Sequence, residues 1–180
     1  MNTNEQLGML LFLLSEAVFF IMLILSYAYF HGRQEAQTAV SVLDLSRAAL
    51  FTIALISSSF TMHMVQRRKS QRSERRWLLT TIGLGALFLF GQSTEYARLI
   101  QQNITISRDL FGTTFFTLTG FHGLHVTAGL ILLAIAYALS RRNDTATLRQ
   151  RFLPNAGLYW HFVDVVWIVI FTEIYLWPHL

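Results

Sequence analysis

The stretch GFHGLHVTAG, Gly120 to Gly129, carries two histidines, His122 and His125, three positions apart. The same spacing separates His161 from Asp164 in YWHFVDVVW. Residues three apart share a helix face, so each pair offers two ligating or proton-handling groups to one neighbour. Three chemistries suit such pairs. Two imidazoles with carboxylates from elsewhere bind iron or zinc. Rings on two helices at one depth serve as axial haem ligands. Rings that donate to a neighbouring helix hold a bundle together. The six histidines are scattered along the chain, unlike the His-rich boxes of membrane metal enzymes of the desaturase type, and this favours the structural chemistry. Glu16, Glu95 and Glu173 complete the set, with His63 near the end of an apolar run. Glu16 has no obvious Arg or Lys partner. Such a group either carries protons or sits neutral and donates a hydrogen bond.

The elements that position these groups are long apolar runs. Of the 180 residues 53% are hydrophobic and 13% charged, which excludes an ordinary soluble domain. There is no cysteine, so disulfides and thiolate metal sites are excluded. A bilayer core needs about 20 apolar residues as helix. Five runs meet this, at 7–30, 45–66, 78–99, 111–139 and 158–178. The fold class is therefore all-α, an integral membrane bundle of five transmembrane helices in a single membrane domain, 1–180. The second run is the weakest, with Arg47 and the trio Ser57-Ser58-Ser59. No cleavable signal or lipidation motif is expected. No fixed-period repeat is evident, which argues against a transporter of two related halves.

Charge sets the orientation. One pair of linkers carries Arg67, Arg68, Lys69, Arg72, Arg75, Arg76, Arg141, Arg142, Arg149 and Arg151. The other side has Arg33, Arg47, Arg98 and Arg108. The N-terminus is thus expected in the cytoplasm and the C-terminus outside. The basic runs read as topology signals, not as a nucleic-acid surface. Helix rise puts Glu16 roughly 14 Å from the inner end of its span, level with His122 and His125, so that Glu16 and one ring can meet. His161 is too near the inner end to sit level with His122. Glu95 and Glu173 fall close to the outer surface, where contact with interfacial water is expected. Trp77, Trp160, Trp177, Tyr96, Tyr159 and Tyr175 fall at span ends, as headgroup-level aromatics do. Small residues such as Gly85, Gly120, Gly123 and Gly129 allow close helix approach.

Four blocks carry more than composition: LLSEAVFFIMLILSYAYF (13–30), STEYARL (93–99), ITISRDLFGTTFFTLTGFHGLHVTAGL (104–130) and GLYWHFVDVVWIVIFTEIYLW (157–177). In order and spacing they resemble subunit III of haem-copper oxidases, the cytochrome c oxidase subunit III family and its quinol-oxidase relatives. Longer members have seven helices, and this chain resembles a form without the first two. The resemblance implies a subunit with no redox centre or metal of its own, in a complex that reduces oxygen with cytochrome c or quinol and translocates protons. Haem and copper would sit in subunit I, with subunit II as the other candidate holder. The chain would pack on subunit I beside its proton-uptake entrance, stabilise it, and bind phospholipid in a cleft. It would lie in a bacterial plasma membrane or a mitochondrial inner membrane.

Residue by residue, Glu16 matches the family's glutamate in its SE motif. His122, His125, His161 and Asp164 match its intramembrane polar set, and Glu95 its EY pair. Glu16, His122, His125 and Asp164 are the expected buried or proton-linked groups. Glu95, His161 and Glu173 are expected to be structural, and His63, Arg149 and Arg151 to contact lipid. Two departures touch the lipid residues: Met62-His63 stands where longer members often have adjacent histidines, and Asn155 where many have a glutamate. Four other readings remain beside this one. They are a quinol oxidase subunit III, an accessory protein of a nitric oxide reductase, a stand-alone membrane metalloenzyme, and a proton channel centred on Glu16.

Overall fold

A computed structural model describes residues 3–31, 43–67, 70–141 and 146–177. Arg33, Arg68, Lys69 and Arg142, used above for orientation, lie outside the described residues, as does the end of the last span at 178. The described residues form α1 (Thr3–His31), α2 (Leu45–Arg67), α3 (Gln71–Gln101), α4 (Leu110–Arg141) and α5 (Ala146–Phe171), closed by a π-helical turn at Thr172–Leu176. No strand occurs among them, and all five helices are long and apolar enough to cross a membrane.

Helices α3 and α5 begin earlier than the apolar runs do. In the polar turns QRSERR and ATLRQR, Glu74, Arg75 and Arg149 find partners on neighbouring helices, a pairing that hydropathy does not register. Several ends have local causes. The Asp44 carboxylate accepts from the Arg47 N–H at 3.1 Å, capping α2. Asp109 accepts from the Gly112 N–H at 2.6 Å, capping α4. After α3, Asn103 turns left-handed at φ 59°, and the Ile104 and Asn103 N–H groups reach back to the Leu99 and Ile100 carbonyls. This is a Schellman stop with asparagine in the place glycine usually takes.

Side-chain pairs fix the directions. Thr61 meets Thr81, Gln92 meets Thr119, and Gly129 meets Trp160, so α2, α3, α4 and α5 run alternately up and down. Helix α5 then returns against α2, where Trp160 donates to Ser58 and Trp167 to Thr52, both at 2.9 Å. These four helices form a closed antiparallel set, and α1 packs outside it on α4 and α5. Lipid gives no hydrophobic drive between helices, so small residues and hydrogen bonds hold such a set together.

The indole of Trp160 is the centre of this arrangement. It is fully buried and wedged between Gly85 of α3 and Gly129 of α4. A Cβ at either glycine would lie 2.6–2.9 Å from the indole, so neither position has room for alanine. The expectation that Trp160 sits at the headgroups is therefore corrected, and Tyr159 and Tyr175 are likewise buried. Because α5 starts at Ala146, Tyr159 and Trp160 lie well inside the helix, not at its mouth, whereas Tyr175 does lie at the far end, in the π-helical turn. The outside is apolar: Leu7, Leu11, Leu14, Met22, Phe90 and Leu124 are all exposed, as a lipid-facing surface requires.

Candidate functional site

The ionisable side chains inside the bundle fall into separate groups. On the α1–α4 contact, Glu16 Oε2 lies 3.1 Å from His125 Nε2. His125 Nδ1 lies 2.8 Å from the Phe121 carbonyl oxygen. A carbonyl only accepts, so Nδ1 carries a hydrogen. The contact with Glu16 then holds one proton: the acid donates to the imidazole, or the imidazolium donates to the carboxylate. The pair is neutral in both forms, which removes the cost of an isolated charge at this depth. Tyr159 Oη donates to the His125 carbonyl at 3.2 Å, tying α5 to the same point.

His122, one turn away, is held differently. It is fully buried, yet neither ring nitrogen has a hydrogen-bond partner among the described residues. Its ring stacks on Trp167 at 4.8 Å and 28°, with Phe88 and Phe20 edge-on. The expectation that both rings donate to neighbouring helices is thus corrected for His122. Aromatic rings occupy the space where a polar partner would sit. His122→Leu is accordingly expected to leave the thermal stability of the detergent-solubilised protein unchanged or raised, since it removes two unpaired polar atoms. His125→Leu, which strands Glu16, is expected to lower it. Parallel melting curves of the two variants check this difference.

Between α2 and α5, His161 Nδ1 lies 3.0 Å from Ser59 Oγ, and that hydroxyl donates to Asp164 Oδ2. A hydroxyl has one hydrogen, so His161 is the donor to Ser59 and the chain of bonds runs His161 to Ser59 to Asp164. Asp164 is 3% exposed, and its Oδ1 has no partner among the described residues. His122 meets Trp167, six residues or about 9 Å along α5 from His161. The two imidazoles are therefore not brought to one level. Among the described residues no three His, Cys, Asp or Glu side chains form a group that could hold a metal ion.

Towards the end that carries the α3–α4 connection, Glu95 is 9% exposed and pairs with Arg98 at 2.6 Å. Arg98 also reaches Asp44 at 3.8 Å. Glu95 is therefore mostly enclosed, and the neighbouring turn supplies its counter-charge. Glu173 is half-buried in the π-helical turn. At the opposite end, Arg149 pairs with buried Glu74 at 3.4 Å. Arg75 donates through Nε to the Ser140 carbonyl at 2.8 Å, beside the C-terminus of α4, where a cation is favourable. Arg149 thus spends at least part of its guanidinium on a carboxylate of this same chain. His63 and Arg151 are exposed.

Sequence reasoning missed Ser59, Ser58, Glu74 and Trp167. The serine trio was the available signal: polar residues inside a span need partners in the bundle. What the arrangement does chemically is conserve hydrogen bonds and charge balance between helices.

The cytochrome c oxidase subunit III family model matches residues 2–179. Cytochrome c oxidase subunit 3 of Synechocystis is 38% identical over 175 residues, 94% of this chain and 74% of that protein. A probable cytochrome c oxidase subunit 3 of Mycobacterium leprae is 38% identical over 179 residues, 93% and 85% of the two chains. Cytochrome bo(3) ubiquinol oxidase subunit 3 of Buchnera aphidicola is 34% identical over 181 residues, 98% and 95%. With five spanning helices and bacterial relatives, this is a multi-pass protein of the bacterial plasma membrane and, by family, of the respiratory chain. The chain belongs to the cytochrome c oxidase subunit III family of haem-copper oxidases.

Proposed function

We propose that the chain is a non-redox scaffold subunit of a terminal oxidase, which stabilises subunit I beside its proton-uptake entrance and holds phospholipid. In this reading the haem and copper of the complex belong to the partner subunits, subunit I first and subunit II as the other candidate. The N-terminus faces the cytoplasm, on the side that holds ten of the fourteen cations. The observation that carries this reading is where the polar groups go. Glu16 with His125, His161 with Asp164 through Ser59, and Glu95 with the Asp44 N–H each bond across to another element of this same chain. Groups spent in this way brace a bundle. The test is Glu16→Gln in the intact oxidase. Haem content is expected to stay intact, with turnover altered little or only during prolonged cycling. Immediate loss of haem or of oxygen reduction would show that Glu16 serves the catalytic site directly.

The ubiquinol oxidase name of the Buchnera relative supports a second reading, a quinol oxidase subunit III. The donor is chosen in other subunits. Turnover of the purified complex with reduced cytochrome c, compared with a ubiquinol, decides between the two.

A further inference from the structure

The first turns of α3 carry three arginines with different fates. Arg75 is spent on the Ser140 carbonyl. Arg72 and Arg76 are exposed, and neither has an ion pair or side-chain hydrogen bond among the described residues. They stand one turn apart on one face and border a surface hollow of about 430 Å³. Ser70, Ser73, Trp77 and Thr80 line the rest of it. The Thr80 hydroxyl is committed to the Arg76 carbonyl at 3.0 Å, so it shapes the wall and does not recognise a ligand.

The hollow is graded along the helix. Its upper part offers two guanidinium groups and the Ser70 and Ser73 side chains. Its lower part is the half-buried indole of Trp77, at the step where α3 turns apolar. Paired guanidinium groups match the oxygens of a phosphate. An indole at that step lies at the level of a lipid's glycerol and upper acyl carbons. A free phosphate would use only the upper part. We propose that this hollow is a binding site for the phosphodiester of an anionic phospholipid, with Arg72 and Arg76 on the phosphate and Trp77 against the glycerol end. Its lining does not include His63, Arg149 or Arg151, and the proposal rests on the reading of the chain as an oxidase subunit that holds lipid.

The test is a titration of the delipidated, intact oxidase with phosphatidylglycerol or phosphatidylcholine, read by native mass spectrometry. Variant complexes are first matched for haem content, so that failure here leaves the subunit assignment standing. Arg72→Gln/Arg76→Gln is expected to weaken phosphatidylglycerol binding by roughly tenfold or more, from the attraction each surface cation contributes. Arg141→Gln/Arg142→Gln removes the same charge at the other basic linker and is expected to change it little. Phosphatidylcholine is expected to bind more weakly than phosphatidylglycerol and to respond less to the first pair. Equal weakening by both pairs would mean a diffuse basic surface and would overturn the site, as would no change in the first pair. Displacement of the lipid by millimolar inorganic phosphate would make the hollow a free-phosphate site and overturn the lipid assignment.

Discussion

Trp160→Ala is expected to destabilise the protein by about 3–5 kcal/mol, the range for removing a large buried aromatic. The indole touches Gly85 on α3 and Gly129 on α4 and donates to Ser58 on α2. Its loss empties a point where four helices meet. The neighbours cannot collapse into the gap, because both glycines hold their helices at fixed spacing with no side chain to swing inwards. Ser58 keeps its bond to the Leu55 carbonyl at 2.6 Å, so the loss is one of packing, not of an orphaned hydroxyl. Thermal melting of the solubilised chain checks the stability. The amount of subunit retained in the purified oxidase checks the consequence. Trp160→Phe refills part of the space without the N–H and is expected to recover more than half of the loss. If alanine at 160 melts like the parent, the centre of the bundle is elsewhere.

The same residue shows what the sequence could and could not disclose. The spans were legible because a bilayer demands a length of apolar helix, and five runs meet it. The meeting of Glu16 with His125 was suggested by depth alone, since 1.5 Å per residue puts both near mid-span. Depth says nothing of direction around a helix. It therefore could not tell that His125 faces Glu16 while His122 faces Trp167. Trp160 was misplaced because the apolar run starts near 158 while the helix starts at Ala146. Hydropathy sees where a helix enters oil, not where it begins. Ser57-Ser58-Ser59 looked like a weakness of the second span. Two of the three are what α2 offers α5, as acceptor for Trp160 and as the link between His161 and Asp164. Glu95 was assigned to water because it lies near a span end, and its partner Arg98 is only one turn away. Charged neighbours at that spacing are a readable signal.

The second large effect concerns Arg149. Replacement by leucine is expected to destabilise the protein by about 3 kcal/mol, the lower end of the range for breaking a buried ion pair. Glu74, 7% exposed with its partner in place, has Arg75 one residue on, but that guanidinium is already committed to the Ser140 carbonyl. The pair also joins the first turn of α3 to the start of α5, so its loss is expected to fray both polar turns, visible as faster amide exchange there. Glu74→Leu alone should cost less, because Arg149 lies at the edge of the bundle and its long side chain can swing its charge into water. The double variant Glu74→Leu/Arg149→Leu removes both charges and is expected to recover most of the loss, since an apolar pair of similar volume commonly matches a buried ion pair. That recovery separates the two roles for Arg149. A lipid-binding arginine would show additive or unrelated effects in the double variant, together with a change in bound phospholipid. A partner of Glu74 shows strong coupling and unchanged lipid, and the melting temperatures of the four chains of the cycle decide it.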